Sequence, residues 1–238
     1  MTATPSPRTP LPSLEHLDEA LCECGAASLG VLLDPESCAD LQALYDDPER
    51  FRKRIVMARH GFGAGEYQYF ADPLPKVVEA WRATLYATLA PLANRWAERL
   101  GEDRRFPSNL SEMLTLCAEA GQPHPTPLLL KYGAGDYNCL HQDLYGALAF
   151  PLQVVIPLSR PGTDYEGGAF VTVETRPRMQ SRAEAILPAQ GEAIVFATRD
   201  KPRKGAKGWT RSTLRHGVST ITRGQRMTLG LIFHNAAS

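Results

Sequence analysis

The chain has 238 residues, 43% of them hydrophobic, and its 26 basic and 26 acidic side chains give a formal net charge of zero. This composition supports a sizeable buried core and excludes a chain that is disordered throughout. A net charge of zero produces no overall field that favours a nucleic-acid or membrane partner, although the charge is unevenly distributed along the chain.

The cysteines and the N-terminal residues indicate the compartment. The five cysteines form no CxxC pair and leave an odd number, which argues against a disulfide framework or a structural zinc site. Prolines occupy the positions where a signal peptide needs an apolar stretch, and no run of about 18 apolar residues occurs. We therefore expect a cytoplasmic monomer with no membrane partner.

The first half of the chain is predicted to be mainly helical. Residues 1–13 are proline-rich and are expected to form a disordered tail, which is followed by a single domain over 14–238 with a mainly helical part at 14–125. Apolar spacing and capping residues predict a short strand at Ser28–Leu33 and helices over Leu14–Cys24, Glu36–Tyr45, Pro75–Leu100 and Ser108–Glu119. Pro91 is expected to kink or split the third helix.

The second half, residues 126–238, is predicted to be a β core. Seven short apolar runs, separated by glycines, prolines and polar turns, predict strands at Pro127–Tyr132, Tyr137–Asp143, Leu152–Leu158, Ala169–Glu174, Glu192–Ala197, Thr213–Ile221 and Arg226–Phe233. Strands without intervening helices indicate an antiparallel sandwich or barrel. The fold class is therefore α+β with a mainly β core, and the N-terminal helices are expected to buttress one sheet.

Two histidines and one aspartate can form a metal site. In an extended strand, His141 and Asp143 project from the same face, and the distant His216 can complete a triangle of ligands. Two imidazoles and one carboxylate leave three positions open on an octahedral ion, as in non-haem Fe(II) oxygenases. Arg226 follows about ten positions after His216, and its guanidinium has the shape for a forked, charge-assisted pair with a carboxylate.

These residues stand in segments that resemble the Fe(II)/2-oxoglutarate-dependent dioxygenases. The resemblance covers about residues 127 to 234 and rests on an ordered set of segments: Tyr132–Asp143, Tyr165–Phe170, Pro188–Phe196, Arg215–Ser219 and Gly224–Thr228. It implies a double-stranded β-helix, or jelly-roll, fold. It also implies an enzyme that uses Fe(II), O₂ and 2-oxoglutarate, releases succinate and CO₂, and hydroxylates or demethylates a substrate.

The resemblance assigns a role to each motif residue. It implies that Fe(II) is coordinated by His141, Asp143 and His216, and that 2-oxoglutarate is bound by Arg226, Thr228 and Tyr132. Asp143 favours hydroxylation or demethylation, because halogenases of similar pattern carry a small residue there. Two alternatives remain open from the residues alone: Arg226 can be a surface arginine with Arg223 as the clamp, and Thr228 and Tyr132 can serve packing only.

Two basic segments are candidates for contact with the substrate. Residues 199–211 carry six basic side chains and one acid, and are expected to form a flexible loop at the rim of the active site, with contacts from Lys201, Arg203, Lys204, Lys207 and Trp209. A second basic stretch begins at Arg50 and leads into Gly61–Phe70, a candidate lid containing Tyr67 and Tyr69. Equally, both segments can be solvated loops that balance the acidic segment 15–49.

The whole chain is similar to a bacterial subfamily described as oxygenases acting on damaged DNA, by analogy with the AlkB-type demethylases. This similarity implies alkylated nucleobases as substrate and DNA as a partner. The chain departs from the AlkB pattern at Leu130, where those enzymes carry asparagine, and it lacks their second clamp arginine after Arg226. The alternatives are a protein or small-molecule hydroxylase of prolyl-hydroxylase type, and a non-catalytic nucleic-acid-binding domain.

Overall fold

Two antiparallel β-sheets enclose a cavity in the computed structural model, which describes residues 10–143, 146–176, 178–206 and 208–238. The helices are α1 (Leu14–Cys24), α2 (Pro35–Ala43), α3 (Lys76–Arg99) and α4 (Leu110–Glu119). The strands are β1 (Ala26–Val31), β2 (Phe51–Val56), β3 (Gly63–Ala64), β4 (Glu66–Phe70), β5 (Leu128–Tyr132), β6 (Tyr137–His141), β7 (Leu152–Pro157), β8 (Tyr165–Gly167), β9 (Phe170–Thr175), β10 (Arg182–Ile186), β11 (Glu192–Ala197), β12 (Asp200–Gly205), β13 (Gly208–Val218), β14 (Ile221–Gly224) and β15 (Arg226–Ile232).

The larger sheet has the order β1-β11-β7-β15-β5-β4-β2, and the smaller has the order β10-β9-β13-β6-β3 with β12 paired to β13. A separate two-stranded ladder joins β14 to β8. This mainly β arrangement with added helices confirms the expected fold class, and the antiparallel pairing excludes a Rossmann-type sheet.

The four helices form where their apolar spacing and caps predict them. The Ser13 side chain caps α1 by accepting a hydrogen bond from the His16 backbone N–H. The Asp34 side chain caps α2 by accepting one from the Ser37 backbone N–H. The third helix, α3, runs through Pro91 as one helix, so of the two expected effects, a kink or a split, the split is absent. Residues 1–9 of the expected tail lie outside the described part of the chain.

The expectation of a mainly helical N-terminal part is wrong between residues 51 and 70. There β2 and β4 extend the larger sheet beyond β5, and β3 joins the edge of the smaller sheet. The basic residues of β2 hide the alternation that identifies a strand, because β2 lies at a sheet edge where side chains stay in solvent. These strands bring the segment before α3 to the cavity.

The helices cover the outer face of the larger sheet. Along β15, Met227, Leu229 and Leu231 join the main core with the buried side chains of α3. Arg82 of α3 is 2% exposed and donates hydrogen bonds to the carbonyl oxygens of Ile232 (2.8 Å) and His234 (3.3 Å). This contact fixes the end of β15 against α3. Among the described residues, no helix is long and apolar enough to cross a membrane.

Candidate metal centre and co-substrate cavity

His141, Asp143 and His216 meet at one point between the sheets. His141 ends β6 and pairs directly with His216 of β13, so the two imidazoles lie side by side with ring centroids 4.3 Å apart. Asp143 follows two residues after His141, and its carboxylate oxygens lie 3.4 Å from Nε2 of each histidine. The donor atoms of all three residues lie within 4.8 Å of one another, a spacing at which one ion can contact all three.

Hydrogen bonding and charge prepare these side chains to bind a cation. The Nδ1 of His141 lies 2.8 Å from the carbonyl oxygen of Cys139, which only accepts, so Nδ1 carries a proton and Nε2 is the ring atom that faces Asp143. Burial raises the pKa of Asp143, but hydrogen bonds from His141 and His216 outweigh it and hold this pKa far below its usual range. Burial lowers the pKa of His216, which favours the neutral ligand form.

The triad opens into a cavity of about 400 Å³ between the two sheets. The strand period of two places every second residue of β15 on its wall, namely Arg226, Thr228, Gly230 and Ile232. The opposite wall carries His141 and His216 from the smaller sheet. The larger sheet therefore supplies the wall that faces the metal ligands.

At one end of this cavity lie three buried polar groups without hydrogen-bond partners in the described structure: Arg226 Nε, Thr228 Oγ1 and Tyr132 Oη. Arg226 and Tyr132 pair directly across β15 and β5, and Arg226 is 2% exposed. Burial raises the pKa of Tyr132 and the nearby Arg226 charge opposes this shift only in part, so the phenol remains a donor. Buried donors are normally satisfied, and this cluster fits a carboxylate of a bound 2-oxo acid.

The structure decides between the two candidate arginines. Arg223 is largely exposed and forms an ion pair with Glu166 at 2.7 Å, whereas Arg226 projects into the cavity. The distribution of donors thus fits a dicarboxylate, with a metal-binding triad on one side and a guanidinium at the far end.

Sequence reasoning missed two residues beside the triad. The ring of Phe196 packs 4.6 Å from the ring of His216, and Gln153, which pairs with Phe196, is buried with Nε2 unpartnered in the described structure. Both line the cavity. The signal for Gln153 was its polar side chain inside the apolar run Leu152–Pro157, which indicates a buried polar group.

The basic segment 199–211 does not form a flexible loop at the cavity rim. It folds into the β12–β13 hairpin, with Asp200 paired to Thr213 and Gly205 to Gly208, because backbone pairing between adjacent strands stabilises even a highly charged segment. Of its described residues, none lines the cavity. Lys207 lies outside the described residues.

Lys201 was expected to contact the substrate, but the structure places it in the interior. Its side chain has no exposed surface, and Nζ donates to the carbonyl oxygens of Cys22 and Glu23 at the end of α1, with Glu174 3.6 Å away. Cationic side chains satisfy the free carbonyls at helix C-termini, so Lys201 attaches α1 to the hairpin.

The other hairpin residues lie on a separate groove. Arg203, Lys204 and Trp209 line it together with residues of α1 and α3, and the guanidinium of Arg99 stacks 4.0 Å from the Trp209 ring centroid. Arg99 covers one face of this indole, which is 37% exposed.

Tyr67 and Tyr69 do lie where a substrate can contact them. Both line the cavity from β4, with their rings 5.4 Å apart and edge to face. The predicted lid is therefore a strand of the larger sheet at this point, preceded by a turn in which Gly61 and Phe62 border the same cavity.

Comparison with known proteins agrees with this site. Residues 65–236 match the model of the Oxygenase-NA family, described as "Oxygenase, catalysing oxidative methylation of damaged DNA". Uncharacterized proteins from two strains of Mycobacterium tuberculosis, H37Rv and CDC 1551, are each 52% identical over 168 residues, which is 71% of this chain and 72% of theirs.

Solved structures share the fold at low sequence identity. A Pseudomonas putida prolyl-4-hydroxylase superposes with a TM-score of 0.51 at 14% identity, covering 93% of this chain and 98% of its own. An oxidoreductase of the 2OG-Fe(II) oxygenase family from Burkholderia pseudomallei gives 0.50 at 19% identity, covering 99% and 98%. These likenesses confirm the double-stranded β-helix expected from the motifs.

The family match covers both strands that carry the triad, and the ligand types and open cavity fit Fe(II) with a 2-oxo acid. The chain belongs to the Oxygenase-NA family and is an enzyme of the Fe(II)- and 2-oxoglutarate-dependent oxygenase class.

Proposed function

We propose that this oxygenase removes alkyl groups from damaged nucleobases by oxidising the carbon attached to nitrogen. The observation that carries the proposal is one cavity whose walls carry the His141–Asp143–His216 triad, Arg226 and the aromatic side chains of β4. The family description, which names damaged DNA, supports this substrate class.

The proposed reaction balances as demethylation. With Fe(II) bound, the site would couple the decarboxylation of 2-oxoglutarate by O₂ to the insertion of one oxygen atom into a C–H bond of the substrate. The products are succinate, CO₂ and the hydroxylated substrate. Where that carbon is an N-methyl group, the hydroxymethyl product releases formaldehyde and leaves the unmodified base.

The protein side chains would bind and orient the reactants. His141, Asp143 and His216 hold the metal on one side and leave its other positions open. Arg226 forms a charge-assisted pair with the distal carboxylate of 2-oxoglutarate, and the hydroxyls of Tyr132 and Thr228 donate to the same carboxylate. Because these donors are already buried and in place, the co-substrate binds with little rearrangement.

The cavity wall would receive the base. Tyr67 presents aromatic surface on β4, held by the edge-to-face contact with Tyr69, whose own ring lies 4.8 Å from the Arg52 guanidinium. This surface stacks with a planar base once that base leaves its helix or lies in a single strand. A prolyl-type or small-molecule hydroxylase remains the competing substrate class. A non-catalytic domain is excluded by family membership together with the complete triad.

One experiment separates these substrate classes. Succinate and formaldehyde are measured with Fe(II), ascorbate and 2-oxoglutarate, with a single strand carrying one ring-N-methylated base and with the same strand unmethylated. We expect both products to rise together only with the methylated strand. Equal amounts of succinate and formaldehyde would show that decarboxylation is coupled to demethylation. Equal succinate formation with the methylated and the unmethylated strand would reject nucleobases as the substrate.

The Asp143→Ala variant is the negative control. Asp164→Ala, which removes an aspartate away from the cavity, is the matched control and should keep wild-type activity. Asp164 is a surface aspartate paired with Arg160 at 2.7 Å. Activity that survives in Asp143→Ala would not come from this site.

A further inference from the structure

Unpaired cations lie at one edge of the cavity. On β2, Lys53 pairs directly with Tyr69, a residue that lines the cavity, so Lys53 lies next to the cavity wall. Arg59 lies in the turn after β2, next to the cavity residues Gly61 and Phe62. Both Lys53 and Arg59 are exposed, and neither has an acidic partner among the described residues.

The acid of the neighbouring strand is already engaged. Glu66 of β4 binds Arg54 and also accepts a hydrogen bond from the Tyr45 hydroxyl at 3.1 Å. The edge therefore keeps two uncompensated positive charges beside the opening, although the whole chain has a net charge of zero. An anionic partner is the complementary ligand.

Aromatic and apolar surface is exposed beside these charges. Phe62 is 45% exposed, and its ring stacks on His60 with centroids 5.3 Å apart. Leu140, also 45% exposed, lies on the facing strand, and the backbone carbonyl of Phe62 accepts a hydrogen bond from Cys139. Because this contact ties the turn to β6, Phe62 and Leu140 hold a fixed place at the opening.

We infer that this basic edge, consisting of Lys53, Arg59, His60 and Phe62, binds a single strand of nucleic acid whose damaged base enters the cavity. Lys53 and Arg59 contact phosphates, and the stacked His60–Phe62 pair receives the base next to the damaged one. Alternating positive charge and exposed aromatic rings bind single strands in this way. The inference rests on the proposed function, and it places the strand on this edge and away from the β12–β13 hairpin.

The test is the salt dependence of binding, measured by fluorescence anisotropy with a labelled single-stranded oligodeoxynucleotide carrying one methylated base. Each phosphate contact in a single strand contributes about 0.7 to the slope of log affinity against log salt. The double variant Lys53→Ala/Arg59→Ala is expected to lower this slope by about 1.4. Phe62→Ala is expected to weaken affinity about 5- to 100-fold, as for the loss of one stacked base.

The matched control is Arg203→Ala/Lys204→Ala, which removes two exposed cations from the hairpin. It is expected to retain the wild-type slope. All the substituted side chains are exposed, and thermal unfolding verifies that each variant is folded.

The outcomes are distinct. The inference is overturned if Lys53→Ala/Arg59→Ala keeps the wild-type slope of log affinity against log salt, or if Arg203→Ala/Lys204→Ala lowers that slope instead. Demethylation by the wild type would still stand in either case. If the wild type neither binds nor oxidises the methylated strand, the proposed function itself fails. Binding of an acidic peptide in place of the strand, lost in the edge variants, would reassign the edge to a protein partner.

Discussion

Arg226 and Tyr132 stand directly opposite each other on adjacent strands, with the guanidinium carbon 5.7 Å from the centroid of the tyrosine ring. Both are almost completely buried, yet Arg226 Nε and the Tyr132 hydroxyl have no hydrogen-bond partner within the described structure. Two strands thus hold unsatisfied donors at a fixed spacing, and an anion that fits between them gains binding free energy without ordering either side chain.

Replacing Arg226 with Gln should therefore weaken 2-oxoglutarate binding. The loss of a buried charge-assisted pair corresponds to an increase in Kd of about 10- to 100-fold. Calorimetric titration of 2-oxoglutarate into the Mn(II)-loaded protein measures this change without turnover. Arg223→Gln, which alters an exposed ion pair, serves as the control and should leave Kd within about twofold. Equal effects of the two variants would refute the clamp.

Replacing Asp143 with Ala should abolish metal binding and turnover. Loss of a residue that only hydrogen-bonds to a metal ligand lowers metal affinity about 10- to 100-fold. Loss of the ligand Asp143 itself should therefore lower metal affinity by more than about 100-fold. Metal content after dialysis against Fe(II) and succinate formation are the two measurements. A variant that retains stoichiometric iron would show that the two histidines suffice.

Arg82→Met should destabilise the fold without touching the cavity. The substitution removes the buried hydrogen bonds that Arg82 donates to the Ile232 carbonyl oxygen and to Asn235 Oδ1, which corresponds to about 2–4 kcal/mol in the free energy of unfolding. Thr126 still donates to the His234 carbonyl oxygen. Urea unfolding measures the change. Lys76→Met, at an exposed position of the same helix, should change it by less than about 0.5 kcal/mol.

His234 should make stability depend on pH. Burial and the Arg82 charge lower its pKa to about 4, and its Nδ1 accepts a hydrogen bond from the Phe150 backbone at 3.1 Å. The unfolded chain binds this proton at about pH 6.5, so stability is complete above that pH and falls as the pH drops towards 4.

The slope from this one group is at most about 1.4 kcal/mol per pH unit. His234→Asn, which keeps an acceptor, should flatten the change in unfolding free energy between pH 7 and pH 5. The exposed His124→Asn should reproduce the wild-type slope. A steep slope in His234→Asn would assign the effect to other groups.

Lys201→Met tests the structural role of the hairpin lysine. Its ammonium satisfies two carbonyl oxygens at the end of α1, so its loss should lower the free energy of unfolding by about 2–4 kcal/mol. Binding of a single strand to the folded variant should be unchanged. The exposed Lys204→Met provides the comparison, with little expected effect on stability. Weaker strand binding by folded Lys201→Met would restore the hairpin as a contact surface.

Local patterns in the sequence were sufficient to predict the four helices and most of the β core. The bounds of α1 agree because Ser13 and the apolar spacing that follows act within a few residues of each other. The strands β2 and β12 were missed because their many basic side chains hide the apolar alternation of a strand. Backbone pairing with β4 and with β13 stabilises them, and this pairing is not visible in the local sequence.

The sequence by itself predicted the metal triad, because ligand chemistry restricts residue types and strand geometry restricts their spacing, but it left Arg226 and Arg223 as alternatives for the clamp. Only the tertiary structure decided which cations stay in solvent. Lys201 and Lys53 are both lysines in basic segments, yet one is buried under α1 and the other is exposed on the edge strand β2. Burial depends on which strands and helices pack together, and the linear order of charges does not contain that information.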